Sequence, residues 1–209
     1  MKKSEILFLY ETSYNIPNGD PFTGEQRYDE ETKKILVSDV RIKRFVRTYL
    51  EDIEGEHIYV SEKTGAGKKD SKGVLTWIIE NWNSNQKTDI AEIMKELIDV
   101  RLFGGISTLE KNMKVGETNF TNGHVQFTGP VQFAALNPSL NRVNLRMHQN
   151  TSHFTSKEEN AQGAIATTTL VPYSVVQIHG WINPTVAKNT DLEEDDLQKM
   201  FKALWYGTG

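Results

Sequence analysis

Cysteine is absent from this chain of 209 residues, so neither a disulfide framework nor a thiolate metal site can form. No apolar run approaches the ~20 residues that a membrane-spanning helix needs. The apolar segment that follows Met1-Lys2-Lys3-Ser4 is too short for a signal peptide. We therefore expect a cytoplasmic protein without membrane contact.

Motifs for metal, nucleotide or catalytic chemistry are also lacking. The five histidines form neither an H-x-x-x-H nor an H-E-x-x-H pattern, which zinc sites commonly use. Gly65-Ala-Gly-Lys68 resembles a phosphate-binding loop only superficially, because Lys69-Asp70 follows it in place of Ser or Thr. Asp20 and Asp39 are the only carboxylates considered for catalysis, and both are better explained as turn and cap residues. We expect no metal, no cofactor and no catalytic residue.

Acidic residues are scarce over a long part of the chain, although the net charge is −4. Between Thr118 and Thr190 the only acids are Glu158 and Glu159. Such a region can lie beside phosphates without repulsion. A polar β region that happens to lack acids explains the pattern equally well.

Four basic residues lie close together on one expected helix, with no acid between Asp39 and Glu51: Arg41, Lys43, Arg44 and Arg47. Like charges at this spacing repel one another, so the arrangement costs stability unless an anion relieves it. The residues also lie in the N-terminal half of the helix, where the helix dipole attracts anions. A solvated basic face is the alternative, and phosphate binding is the interpretation that we favour.

Periodicity and turn signals predict an α+β protein. Strands are predicted at 6–12, 34–37, 124–136 (kinked at Gly129-Pro130) and 168–182. Helices are predicted from a cap at Ser38 or Asp39 to about Glu54, at 77–82, 89–101 and 191–205, and a flexible loop at 62–73. The apolar stripe of the first helix comprises Ile42, Phe45, Val46, Tyr49, Leu50 and Ile53.

Five motifs occur in one order along the chain: Asn18-Gly-Asp-Pro21, Ser38-Asp-Val-Arg-Ile-Lys-Arg44, Asp99-Val-Arg-Leu-Phe-Gly104, Thr128-Gly-Pro-Val-Gln-Phe133, and Val171-Pro-Tyr-Ser174 with Ile178-His-Gly180. This series resembles the backbone subunit of Cascade, the RAMP-type, DevR-like crRNA-binding protein of type I CRISPR systems. The similarity is greatest to the I-B and I-C branches.

The resemblance implies a single domain over 1–209 with a modified RRM or ferredoxin-like palm. It has an antiparallel sheet with helices on one face. Insertions are expected at about 55–88, on the surface, and at about 146–167, as a β-hairpin thumb that turns at about Asn160–Gly163. The implied partners are crRNA, target DNA paired to it, further copies of the chain, and the small RAMP cap subunit and large subunit of Cascade. Proteins of this kind contact sugar and phosphate, and base pairing reads the sequence.

Mapped by this resemblance, the RNA-binding residues fall into three groups. The first is the basic group of the helix, given above. The second lies beside the RNA and comprises Phe103, Gly104, Gly105, Gln126 and Gln132. The third belongs to the thumb or precedes it and comprises Arg142, Arg146, His148, Gln149, Thr151, Ser152 and Phe154, where Phe154 or Met147 is placed to stack on a base.

Two other functions remain open. Related backbone subunits of type III complexes cleave bound RNA with a loop aspartate, for which Asp20 or Asp39 is the candidate here. A fragment that acts only in protein interaction is the second. The family has a further palm strand after the last helix, whereas this sequence stops at Tyr206-Gly-Thr-Gly209, so we expect a truncated form.

The first prediction concerns sequence preference. Because the expected contacts are of the kind made to phosphate, unrelated single strands of equal length should bind within about fivefold of one another, and cooperatively. Filter retention with several RNAs of matched length measures this. A preference of about a hundredfold for one internal sequence would contradict it.

Overall fold

The computed structural model describes residues 1–83, 85–109, 113–115, 118–152 and 164–208, with the backbone alone for residues 113, 150–152 and 164–166. It confirms the α+β class with antiparallel sheets. The helices are α1 (Asp39–Asp52), α2 (Ser71–Trp82), α3 (Ile90–Lys95), α4 (Ile98–Phe103), α5 (Pro184–Thr190) and α6 (Glu194–Tyr206). The strands are β1 (Ser4–Asn15), β2 (Tyr28–Asp29), β3 (Lys34–Ser38), β4 (Gly104–Thr108), β5 (Met113–Val115), β6 (Thr118–Phe120), β7 (His124–Thr128), β8 (Val131–Phe133), β9 (Leu136–Pro138), β10 (Arg146–Ser152) and β11 (Ala164–Ile182).

The chain forms two compact units, each assembled from separate segments. The first unit comprises Met1–Ile6, Ile42–Phe133 and Gly180–Gly209, and the second comprises Leu7–Arg41 and Ala134–His179. Each unit is described by itself below. The single palm domain that the resemblance implies stays a prediction.

The first unit has a helical core. Its buried cluster comprises Tyr59, Val74, Leu75, Ile78, Ile90, Ile93, Met94, Leu97, Val100, Leu109 and Phe120. Several of these belong to the stretch 55–88, expected as a surface insertion, so that stretch contributes directly to the core. The buried residues of α2 are Val74, Leu75 and Ile78, which lie on one face of the helix. Burial of that face stabilises so short a helix.

Two short pairings complete the first unit beside α4. Strand β4 pairs with β7 in the register Gly104↔Thr128 to Thr108↔His124. Strand β8 pairs with Gly180–Ile182 at the end of β11. The expected strand over 124–136 is thus interrupted where the sequence predicted a kink, at Gly129-Pro130, and its parts pair with different partners.

The second unit is built on strands. In it β11 lies between β1 and β10, and β3 lies between β2 and β9. Buried side-chain amides bind backbone groups near the strands. The Asn137 side chain accepts from His179 N at 3.0 Å and donates to Ala134 O at 2.8 Å. Asn18 Oδ1 likewise accepts from Ser38 N at 2.7 Å. Buried polar groups that are satisfied in this way fix one conformation of the loops.

Four helical predictions need correction. In α1 the buried residues are Ile42, Val46 and Leu50, whereas Ile53 is exposed because it lies beyond the end of the helix. The expected loop over 62–73 is helical from Ser71, since the Asp70 side chain caps α2 by accepting from Gly73 N at 2.8 Å.

The expected helix over 89–101 is two helices, α3 and α4. Asp89 is the N-cap of α3, and its side chain accepts from Ala91 N. A side-chain contact lies at the break: Arg101 Nη1 donates to the carbonyls of Lys95 and Glu96, at 3.0 and 2.8 Å. These bonds satisfy the last carbonyl groups of α3, which the helix itself leaves open.

The last helix begins at Glu194, not at Asp191, with a capping box between Glu193 and Asp196. Asp191 instead ends α5, which sequence reasoning missed, in a left-handed conformation. Asn183 caps α5 and Pro184 occupies its first turn, a position that favours proline. None of the helices in the described part of the chain is long and apolar enough to cross a bilayer.

The turn from α4 into β4 makes the second prediction. Gly104 has φ 77° and ψ 177°, a combination that is almost restricted to glycine. A Cβ at Gly104 would lie 2.5 Å from Gly129 N. Gly104→Ala should therefore cost about 2–5 kcal/mol of unfolding free energy, the sum of backbone strain and overpacking.

Gly55→Ala is the matched control, because Gly55 has φ 71° but nothing lies within 4 Å of its Cβ position. This variant should lose only the strain, about 1–2 kcal/mol. Urea denaturation followed by tryptophan fluorescence measures both. Equal losses would show that the close backbone approach at Gly104 carries no cost.

Candidate nucleic-acid interface

Phe103 is the point at which two groups of predicted residues meet. It is the last residue of α4, is buried, and its ring centroid lies 6.1 Å from that of Phe133 on β8. Gly104 then turns the chain into β4. The backbones of Phe103 and Gly129 approach so closely that a Cβ at Gly129 would lie 2.6 Å from Phe103 Cα. The position of the aromatic ring is therefore fixed by backbone packing.

Two cations of α1 lie over this ring. Lys43 Nζ is 5.8 Å and Arg47 Cζ 5.4 Å from the Phe103 centroid. The two residues are four positions apart and so share one helix face. Both distances are within the ~6 Å range of cation–π attraction. The structure thus brings together Lys43, Arg47 and Phe103, which the sequence placed on separate elements.

Arg47 is held by a buried carboxylate. Its Nε donates to Asp99 Oδ2 at 2.8 Å, and the side chains of Arg47 and Asp99 are 16% and 1% exposed. The same carboxylate accepts from the backbone amides of Tyr59, at 2.7 Å, and Val60, at 3.1 Å. Within the described part of the chain, the Nη groups of Arg47 donate to no other residue. Arg47 therefore has the Nε edge of its guanidinium fixed to the protein by Asp99.

Tyr59 belongs to the same network. Its hydroxyl donates to Ile106 O on β4 at 3.0 Å. Burial raises the pKa of the Tyr59 phenol, and the Asp99 charge adds to that shift. The phenol ties β4 to the loop that Asp99 holds.

The other two basic residues of α1 are placed differently. Arg44 is exposed and its Nη2 lies 3.5 Å from Glu62 Oε1, an arrangement that stabilises a fold little. Arg41, at the other end of the basic group, belongs to the second unit, where its Nε donates to Pro17 O at 3.0 Å.

The remaining predicted residues of the first unit lie on strands next to Phe103. Gln132 on β8 is exposed, and its Nε2 donates to Gly129 O at 2.8 Å. Gln126 is exposed on β7, opposite Ile106. Gly105 is half-buried and faces the core, since a Cβ there would lie 3.2 Å from Met94. Gly105 thus has a packing role in addition to any at the interface.

The third predicted group lies in the second unit. Strand β10 pairs antiparallel with β11, from Arg146↔Leu170 to Ser152↔Ala164. The side chains of Arg146, His148 and Gln149 are exposed on β10, and Arg142 is exposed before it. For Thr151 and Ser152 the strand position alone is described. Phe154 and the expected turn at 160–163 lie outside the described residues.

The two aspartates considered for catalysis have structural partners. Asp20 Oδ1 accepts from Phe22 N at 2.9 Å and Asp20 Oδ2 lies 3.3 Å from Arg27. Asp39 is the first residue of α1. Among the residues that the structure describes, no group of three acidic or histidine side chains is placed to share a metal ion.

Sequence reasoning missed Asp99. Its spacing contained a usable signal, because Asp99 and Phe103 are four residues apart on α4 and so lie on one face. The partner Arg47 is 52 positions away along the chain, and no local pattern joins the two.

Comparison with solved structures supports the fold. A chain of a "CRISPR RNA-guided surveillance complex" matches 97% of this chain and 60% of its own length, with 14% identity and a TM-score of 0.54. A chain of a "CRISPR RNA-guided surveillance complex, pre-nicking" matches 97% and 71%, with 14% identity and a TM-score of 0.53. At this identity the likeness concerns the fold alone.

Sequence comparison identifies the family. A "CRISPR-associated protein Cas7" of Haloferax volcanii is 29% identical over 218 aligned positions, which include 98% of this chain. The chain spans 64% of the length of that curated relative. The family model described as CRISPR-associated protein Cas7 matches residues 2–209. The chain therefore belongs to the CRISPR-associated protein Cas7 family.

Proposed function

We propose that this chain is a backbone subunit of a type I CRISPR surveillance complex, of the I-B or I-C kind, and that it holds guide RNA without cleaving it. The observation that carries the proposal is the placement of Lys43 and Arg47 around Phe103. Arg47 offers planar donors and Lys43 a mobile charge, which together suit a phosphate. Exposed Gln126 and Gln132 are nearby polar groups for sugar or phosphate oxygens.

These contacts discriminate little between sequences. Arginine and lysine bind phosphate, and the described residues near Phe103 offer no cluster that would read base edges. The bases of the guide would then stay available for pairing with target DNA. Copies of the chain, together with the cap and large subunits, would assemble along one guide.

The hairpin of β10 and β11 is proposed as the thumb. The antiparallel register from Arg146↔Leu170 to Ser152↔Ala164 supports this, as does the exposure of Arg146, His148 and Gln149. Met147 is also largely exposed and is available to stack on a base.

The RNA-cleaving alternative is disfavoured by the surroundings of Asp20. A carboxylate that accepts two backbone amides, from Phe22 and Thr23, and lies beside Arg27 is engaged in holding its loop. A role confined to protein interaction is separated by filter retention, since such a fragment would not retain RNA.

The third prediction concerns the basic face of α1. Lys43→Glu with Arg44→Glu should weaken RNA binding by at least about tenfold. The slope of log K against log salt should fall by about one unit for each phosphate that the variant no longer neutralises. Arg47 is left unchanged, because a carboxylate there would face the buried Asp99. Fluorescence anisotropy over a series of salt concentrations measures both quantities.

The matched control is Lys69→Glu with Lys72→Glu, which changes the charge equally at two exposed lysines at the start of α2. This control should bind RNA within about threefold of the parent, allowing for long-range screening. If both double variants weaken binding equally, RNA responds only to net charge and α1 is a solvated face.

The fourth prediction concerns catalysis. Labelled RNA bound to the protein should stay intact during prolonged incubation with Mg²⁺ or Mn²⁺. Gel electrophoresis of the labelled strand measures this. Metal-dependent cleavage that disappears in Asp20→Ala or Asp39→Ala would overturn the non-catalytic assignment, while RNA retention would still hold.

A further inference from the structure

We propose that Asp99 is a positioning residue for the RNA-binding site, which it serves by fixing the guanidinium of Arg47. This inference rests on the proposed function. It is unexpected on electrostatic grounds, because a carboxylate beside a phosphate site opposes the binding of an anion. The geometry points to an orienting role that outweighs that repulsion.

Hydrogen bonds occupy both oxygens of the Asp99 carboxylate. Asp99 Oδ1 accepts from Tyr59 N at 2.7 Å, and Oδ2 accepts from Val60 N at 3.1 Å and Arg47 Nε at 2.8 Å. With three donors around a side chain that is 1% exposed, Asp99 has little freedom to move. A hydrogen bond to such an anchor transmits that rigidity to Arg47.

Asp99 binds the Arg47 guanidinium through Nε. The guanidinium is planar, so a bond at Nε sets the plane in which both Nη groups lie. Cζ is 5.4 Å from the Phe103 centroid, which restricts the remaining rotation. Only 16% of the side chain is exposed, so its surroundings further limit the orientations open to the guanidinium.

Arg44 is held much less firmly than Arg47. Its ion pair with Glu62 joins two side chains that are 67% and 86% exposed, at 3.5 Å. Such a pair is loosely held and readily exchanged for water. Arg47 is therefore a preorganised donor and Arg44 a mobile charge, and preorganisation is what lowers the entropic cost of binding.

Removal of the Asp99 charge tests the inference, because the two explanations predict opposite changes in RNA affinity. Asp99→Asn removes one negative charge beside the site and keeps the shape of the side chain. If Asp99 orients Arg47, RNA affinity should fall by about tenfold, a usual size for coupling within one network. If Asp99 acts only through its charge, affinity should rise. Glu62→Gln is the matched control, because it removes an equal charge beside Arg44, and it should bind as tightly as the parent or slightly more tightly.

A cycle with Arg47 separates positioning from a general structural effect. In an Arg47→Gln background, Asp99→Asn should have no further effect on RNA affinity, because Asp99 acts through Arg47. An equal loss in both backgrounds would overturn the inference, since it would reflect the amides of Tyr59 and Val60 alone. Thermal unfolding and circular dichroism of each variant verify that the fold is present.

Arg47→Lys keeps the test decisive should Asp99→Asn fail to fold. Lysine retains the charge opposite Asp99 but lacks the planar donors. The inference requires weaker RNA binding with an unchanged salt slope, because the number of charges is the same. Unchanged affinity would refute it. Absence of RNA binding by the parent chain is a different result, which would refute the proposed function itself.

Discussion

The first unit depends on two ion pairs that radiate from one short helix. Helix α4 has six residues, too few to be stable without partners. Asp99 connects it to Arg47 of α1, and Arg101 connects it to Asp196 of α6 through two bonds of 2.8 and 2.7 Å. Because removal of one partner from a buried pair costs about 3–5 kcal/mol, these pairs hold α1, α4 and α6 as a group.

The same helix ends at Phe103, so the pairs that stabilise the unit also locate the proposed RNA site. The cations of α1 are not equivalent, because the charge of Arg47 is largely compensated by Asp99, whereas the compensation of Arg44 by Glu62 is exposed to solvent. In the proposed function, this difference would allow a chain of net charge −4 to hold an anion. Directional donors matter more at close range than the total charge does.

The elements with strong local signals could be predicted from the sequence. Strand-type residue patterns predict strands β1, β3 and β11. Helical periodicity, with a cap at Ser38 or Asp39, predicts helix α1. The split into α3 and α4 could not be predicted, because the contact at the break is made by the Arg101 guanidinium, which reaches back to the carbonyls of Lys95 and Glu96. The start of α2 at Ser71 was missed because a Gly- and Lys-rich composition outweighed the cap at Asp70.

The candidate site could be predicted from the sequence only in part. The basic residues of α1 were singled out by their spacing, and Phe103 and Gly104 by resemblance to a family. That Lys43 and Arg47, not Arg44, lie over the ring depends on the packing of α1 against α4, which helical periodicity does not specify. Asp99 was not singled out within its motif, because its partner Arg47 is 52 positions away and no local pattern joins the two.

The buried carboxylate of Asp99 also makes part of the backbone a natural reporter. The amide protons of Tyr59 and Val60 point at the two oxygens of the carboxylate that holds Arg47. A phosphate that draws charge from the guanidinium would weaken the hydrogen bond from Arg47 to Asp99. The hydrogen bonds from the amides of Tyr59 and Val60 to Asp99 could then shorten. The ¹⁵N–¹H resonances of Tyr59 and Val60 would therefore shift on ligand binding, although neither residue need touch the ligand.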